Sequence, residues 1–315
     1  PDGLDSIGYS AFSYCSSLTS LTIPNNVTSI GSYAFSYCTA LTIVTIPDNV
    51  TLIGNNAFYQ CSALTTIEVG SSNTIYASVD GVLYDKNVTN LIQCPAGFTG
   101  SLSVPGSVTS IGARAFYQCV GLTEVIIPIS VTSIGANAFH QCTALTSVTI
   151  LGNVDAIDDY AFYRCSALGS ITIPGSVMAI GNYSFYQCSS LKSVTIPEGV
   201  RSIGNYAFYS CSTLATLDLP DSMMSIGNYS FGSCSSLKAV SIPGGVTYLS
   251  PYSFSQSNSI SSIDVDPANP NFASVDGVLY NKALTILIQC PAGKAGVIVV
   301  PDGVTTIEDN AFYYC

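Results

Sequence analysis

Twelve cysteines and one histidine are the side chains whose types could bind a metal, form disulfides or act as nucleophiles. Their spacing argues against the first and third. Cys15, Cys38 and Cys61 lie 23 residues apart, as do Cys119, Cys142, Cys165, Cys188, Cys211 and Cys234. No Cys-x-x-Cys pair accompanies His140, so zinc-ligand spacing is missing and no metal or cofactor is expected. A hydrolase triad needs a histidine oriented by a carboxylate beside a nucleophile. His140 instead occupies a repeat position filled elsewhere by Tyr59, Tyr117, Tyr163 and Tyr186. It reads as a mid-repeat surface residue. The sequence also has no phosphate-cradling Gly-x-x-x-x-Gly-Lys loop. The densest acidic group, Asp155, Asp158 and Asp159, reads as a solvated edge. These readings point away from an enzyme.

A fixed period in the twenties marks a solenoid, in which each unit buries its apolar face only against its neighbours. In the coil from Cys188, the run Leu191-x-x-Val194-x-Ile196 has the alternation of a short strand with one face inward. Pro197 ends that strand because it cannot donate to a ladder. Gly204 suits a bend that a Cβ would forbid. Val200, Ile203, Phe208 and Cys211 then fill the core from the return arm. Eleven phenylalanines keep the period, from Phe12 to Phe312, with Ala before most of them and Ser184, Ser230 or Ser253 before three. Stacked coils set neighbouring cysteines about 5 Å apart, the strand spacing. Disulfide pairing is therefore geometrically open. The neighbouring Phe and Ala positions favour a ladder of buried free thiols. At Ser257 the repeat does without the thiol.

Two gaps of 58 residues, Cys61 to Cys119 and Ser257 to Cys315, each hold one ordinary repeat and a longer coil, at about 70–104 and 266–300. Their texts nearly coincide: Ala77-Ser78-Val79-Asp80-Gly81-Val82-Leu83-Tyr84 against Ala273-Ser274-Val275-Asp276-Gly277-Val278-Leu279-Tyr280. The segment Gly81–Tyr84, a turn and Val88–Gln93 predict a β-hairpin projecting from the stack. Cys94 and Cys290 fall outside the ladder's phase and are the expected exceptions to thiol burial.

The phrase Ile-Pro-x-x-Val-Thr-x-Ile-Gly-x-x-Ala-Phe-x-x-Cys-x-x-Leu-x-x-Val resembles the BspA-like leucine-rich repeats, also called the Treponema pallidum type. The segment Phe272 to Tyr280 resembles a linker of the same family. The resemblance covers essentially the whole chain. It implies one right-handed solenoid over 1–315, of about eleven 23-residue units. A parallel sheet would form the concave face, with short irregular or 3-10 segments opposite and two inserted hairpins. It implies a surface or secreted protein that adheres to host proteins, other cells or matrix, and it brings no catalytic residue.

Composition narrows the partners. A net charge of −11 argues against nucleic acid, whose phosphates need a basic footprint. Only 9% of residues are charged, against roughly 25% in ordinary domains, so Ser, Thr, Asn, Gly and Tyr must keep the surface wet. No apolar run reaches the ~18 residues of a membrane span. Two surface rows follow from the period. Outward strand positions carry Thr149, Thr172 and Thr195, an extended face of the kind solenoids bind with or simply residues that suit a solvated strand. Tyr160, Tyr183, Tyr206, Tyr229 and Tyr252 form a column that is either an interface or a mutually stabilising stack. Sequons at Asn26, Asn49, Asn87, Asn182 and Asn228 would be glycosylated only in a secreted eukaryotic chain, and the repeat's own alphabet also generates them. Pro1 falls in mid-coil and Cys315 precedes the next strand, so the chain reads as a fragment or as a unit that stacks head to tail. The expected function is extracellular, non-enzymatic binding to a protein or glycan on another cell or matrix. A filament of end-to-end copies is the alternative.

Overall fold

The computed structural model describes residues 3–315 and is a parallel β-solenoid of about 13 turns, without an α-helix among the described residues. Its principal ladder is the one the alternation predicts. Gly121–Ile127, Ser147–Ile150, Ser170–Thr172 and Ser193–Thr195 pair in parallel, with Val125, Val148, Ile171 and Val194 in register and buried. A second parallel ladder runs along the return arm, built from two-residue strands. Ala156–Ile157, Ala179–Ile180, Ser202–Ile203, Ser225–Ile226 and Tyr248–Leu249 follow one another in register. Sequence reasoning placed Ile203 in the core but missed its ladder, because two residues are too few to show a period of two.

The third side of each coil is the arm Gly-x-x-Ala-Phe-x-x-Cys. It is a run of turns, the irregular form of the two that the resemblance implies. Two residues per arm hold left-handed backbone, at φ 58° for Tyr160 and 57° for Arg164 in one coil, and at 55° and 57° for Tyr183 and Gln187 in the next. Such a conformation costs a non-glycine residue roughly 1–2 kcal/mol. It aims alternate amides along the solenoid axis. The amides of Tyr160, Phe162 and Arg164 donate to the carbonyls of Asn182, Ser184 and Tyr186 in the next coil at 2.9, 2.7 and 2.7 Å. The arm is thus a third hydrogen-bonded seam. The arm's glycine serves a different purpose from the one expected. Gly204 has no positive φ; a Cβ there would lie 2.6 Å from the Asn182 nitrogen of the preceding coil. Close approach of the coils excludes a side chain, not the bend itself.

Inside, the phenylalanine rings stack at 4.6 to 5.8 Å from Phe116 through Phe254, and at 5.3 and 5.5 Å from Phe12 through Phe58. The inserts separate these stacks, and the expected hairpin is present, Val82–Asp85 with Asn90–Gln93, but it is built into the stack instead of projecting from it. Each insert is a three-stranded unit built into the solenoid. Tyr76–Val79 turns at Asp80-Gly81, both at positive φ, into Val82–Asp85, which pairs antiparallel with Asn90–Gln93. Asn90–Gln93 then joins the second ladder beside Ser110–Ile111. A hairpin through two residues with φ above zero is the tight type whose twist matches its strands. Val82, Leu83 and Tyr84 are all fully buried, and they alternate sides. Leu83 packs with the core of Ile7 through Ile67, whereas Val82 and Tyr84 pack with the core that runs on to Ile263. Leu279 against Val278 and Tyr280 repeats the pattern at the second insert. Each insert is a septum, and the core lies in three blocks.

A fully buried asparagine fixes each septum. Asn73 donates to the carbonyls of Pro47 and Val50 at 2.8 and 2.9 Å and accepts from the amides of Ile75 and Tyr76, both at 2.8 Å. Asn269 makes the equivalent four bonds.

Candidate interaction surfaces

All twelve cysteines are free, and ten are buried; Cys15 and Cys315 are exposed. Cys94 and Cys290, the expected exceptions, are among the buried ones, because the insert's third strand carries them into the core beside Tyr84 and Tyr280. Burial pushes the thiols of Cys61 and Cys234 up to about 12, so the reactive thiolate is suppressed. Within the regular coils the ladder thiols donate to the phenylalanine carbonyl of the coil before, as Cys165 does to Phe139 at 3.0 Å, whereas after the first insert Cys119 donates to the Pro95 carbonyl at 3.4 Å. Among the described residues no three His, Cys, Asp or Glu side chains converge as metal ligands do.

The tyrosine column stands where the period places it. From Tyr160 to Tyr252 successive rings stack at 4.9, 4.8, 5.1 and 5.5 Å, with interplanar angles of 3° to 13°. Face-to-face stacking consumes the ring faces, so the column presents half-buried ring edges to solvent. Burial first, then the neighbouring phenols, raise the hydroxyls of Tyr183, Tyr206 and Tyr229 above the usual phenol range, which keeps them neutral donors. Beside the column runs a ladder of amides. The backbone amide of Asn182 donates to Asp159 Oδ1 at 2.6 Å; the amides of Asn205 and Asn228 donate to the Oδ1 atoms of Asn182 and Asn205, each at 2.8 Å. Tyrosines and amides together line a groove of about 410 Å³.

A second aromatic column, missed from the sequence, flanks the first. Tyr117, His140, Tyr163, Tyr186 and Tyr209 stack at 4.6, 4.6, 5.0 and 5.3 Å. Its signal was the substitution of one aromatic by another at a single phase of the repeat. His140 is therefore not a free surface residue. Tyr117 and Tyr163 sandwich its ring, and Nδ1 is buried without a hydrogen-bond partner. Burial, then the Arg164 and Arg114 charges, push its pKa down to about 4, so it is a neutral packing ring at pH 7.

The remaining candidates are dispersed. Thr149, Thr172 and Thr195 are exposed on the principal sheet, with Thr172 opposite Thr195 and Ile126 opposite Thr149. Asp218 continues the row after Thr195. Asn26, Asn49, Asn87 and Asn228 are exposed, but Asn182 is half-buried and its side-chain amide is engaged with Asp159. No described helix is long and apolar enough to cross a membrane.

Comparison with known proteins agrees with this architecture. The profile of the BspA type leucine rich repeat region matches residues 1–95, 96–178 and 155–276, with six copies. A leucine rich cell surface protein from Faecalibacterium prausnitzii is 37% identical over 68% of this chain, with a TM-score of 0.62. The present chain covers 57% of that protein's length. A leucine-rich repeat protein from Eubacterium ventriosum is 27% identical, covering 76% of this chain and 82% of its own, with a TM-score of 0.55. The pneumococcal vaccine antigen PcpA shares the fold at 24% identity and a TM-score of 0.65, over 85% of this chain and 62% of its own. No curated protein matches the chain by sequence.

Proposed function

Because the chain belongs to the BspA-type leucine-rich repeat family, we propose that it is a non-enzymatic, surface-displayed scaffold that adheres by binding a protein partner along the stripe Tyr160, Tyr183, Tyr206, Tyr229 and Tyr252. The observation that carries this reading is the stack itself. Five rings already fixed by their neighbours lose little side-chain entropy on contact, so most of the interaction survives as affinity. Tyrosine also combines apolar area with a polar tip, the chemistry enriched in interfaces. Description of the Faecalibacterium relative as a cell surface protein supports the location.

Beads coated with the protein should adhere to a cell layer or matrix. The double variant Tyr206→Phe, Tyr229→Phe keeps the stack and removes two hydroxyls. Weaker adhesion with an unchanged melting temperature supports the stripe as an interface; unchanged adhesion by this variant and by Tyr206→Ser, Tyr229→Ser overturns it.

A further inference from the structure

The two inserts build the same joint twice, and the joints differ in the side chains that meet there. In the first, the segment 93–97 carries no aromatic residue. The phenylalanine stack therefore halts at Phe58 and resumes at Phe116, while Tyr59 and Tyr117 meet across the joint with ring centroids 5.3 Å apart and hydroxyls 3.3 Å apart. Under this bridge lies a cavity of about 140 Å³, lined in part by Ile53, Phe58 and Ile92. It shares Asn56, Tyr59, Arg114 and Tyr117 with an open cleft of about 350 Å³ that reaches Tyr33 and Ser36.

Arg114 is the single charged residue lining either space. Its guanidinium makes one hydrogen bond, from Nη1 to Asn56 Oδ1 at 3.3 Å, and Asn56 is held in turn by its Nδ2 donating to the Tyr33 hydroxyl at 3.0 Å. The only ion pair among the described residues is Lys294 with Asp276, so Arg114 lacks a carboxylate partner in a chain of net charge −11. A guanidinium has five donors in a fork that fits a carboxylate. The other polar groups of the cleft are hydroxyls and amides, which both donate and accept and so match a polyol. At the second joint the places of Asn56, Tyr59 and Arg114 are taken by Tyr252, Ser255 and Asn310, which removes the cation.

We propose that the first joint is a binding site for an acidic saccharide, a hexuronate-bearing glycan whose carboxylate pairs with Arg114 and whose hydroxyls meet Asn56 and the tyrosine hydroxyls. A peptide is the weaker fit. Asn90–Gln93, whose Ile92 lines the cavity, is paired on both sides, and at the edge strand Leu52–Ile53 the Ile53 amide is already taken by the Tyr76 hydroxyl at 3.0 Å, so an added strand finds little free backbone.

The test is a calorimetric titration of the full chain with a uronate tetrasaccharide and with its carboxyl-reduced, neutral counterpart. The acidic form should bind and the reduced form should bind at least about tenfold more weakly, the effect of losing a charge-assisted hydrogen bond. Arg114→Gln should abolish the difference and Arg114→Lys restore part of it. Tyr206→Phe, on the separate stripe, should leave it unchanged, so failure here is distinguishable from failure of the adhesion reading. Tyrosine resonances of the unmodified chain provide a readout independent of the variants: shifts should centre on Tyr59 and Tyr117. Equal affinity for both saccharides, wild-type binding by folded Arg114→Gln, shifts centred elsewhere, or no binding at millimolar uronate would each overturn the proposal.

Discussion

The hydroxyl of Ser257 donates to the carbonyl of Phe231 at 2.7 Å, the bond that the Cys234 thiol makes to Phe208 at 3.3 Å. The one ladder position without sulfur thus keeps the ladder's hydrogen bond. It adds another, because the Cys234 amide donates to the Ser257 hydroxyl at 3.0 Å. Ser257→Ala strands that buried amide, which costs about 1–3 kcal/mol. Ser257→Cys, which restores the donor found in the other coils, should cost less than the alanine. Urea unfolding midpoints of the two variants check this; an alanine variant as stable as the parent would refute the role assigned to the hydroxyl.

Ser184 and Ser230 present the reverse case. Both replace the alanine that precedes phenylalanine in most coils, both are fully buried, and neither hydroxyl has a hydrogen-bond partner. Ser253, at the same phase, donates to Ser250 and Gly227 carbonyls at 2.7 and 3.2 Å. Ser184→Ala and Ser230→Ala should therefore each stabilise by about 1 kcal/mol, and Ser253→Ala should destabilise. Thermal melts of the three single variants give the signs directly.

Acid should act through the single histidine before it acts through the bulk of the carboxylates. His140 has its pKa lowered from 6.5 to about 4 in the folded chain, so between those values the unfolded chain binds the extra proton. Its contribution is fully present above pH 6.5 and is lost as pH falls toward 4. His140→Tyr places in the stack the residue found at Tyr117 and Tyr163. The parent should lose more stability than this variant between pH 7 and pH 5; identical losses would show that the sandwich does not depress the histidine.

Much of this architecture was legible because the repeat writes each contact many times. Tyr160 to Tyr252, the Phe ladder and the buried thiols all follow from one period applied to the strand spacing. What escaped were features with no periodic signature. The Ser202–Ile203 ladder is too short to alternate. Left-handed backbone at Tyr160 and Arg164 is invisible in side chains that are not glycine. Burial on both faces of Val82-Leu83-Tyr84 gives an apolar run that reads equally well as one strand of an exposed hairpin, and only the two separate cores distinguish them. His140 was misplaced because a lone polar residue was weighed by its own type instead of by the aromatic ring it replaces.

The septum makes the strongest demand on the fold, since adjacent residues should destabilise opposite blocks. Leu83→Ala removes side-chain volume from the core of Ile7 through Ile67, and Tyr84→Ala removes it from the core beginning at Val82. Each truncation costs about 2–5 kcal/mol when the site cannot collapse. In a stack of coils coupled mainly to their nearest neighbours, that loss stays local. Hydrogen exchange should accelerate around Ile30, Val44 and Ile67 in Leu83→Ala, and around Leu102, Ile111 and Val125 in Tyr84→Ala. At the second insert the polarity is preserved along the chain: Leu279→Ala should loosen the central block, and Tyr280→Ala the block containing Leu287 and Ala311. Uniform acceleration along the whole chain in any one of these variants would mean that the three cores unfold as one and that the inserts do not divide them.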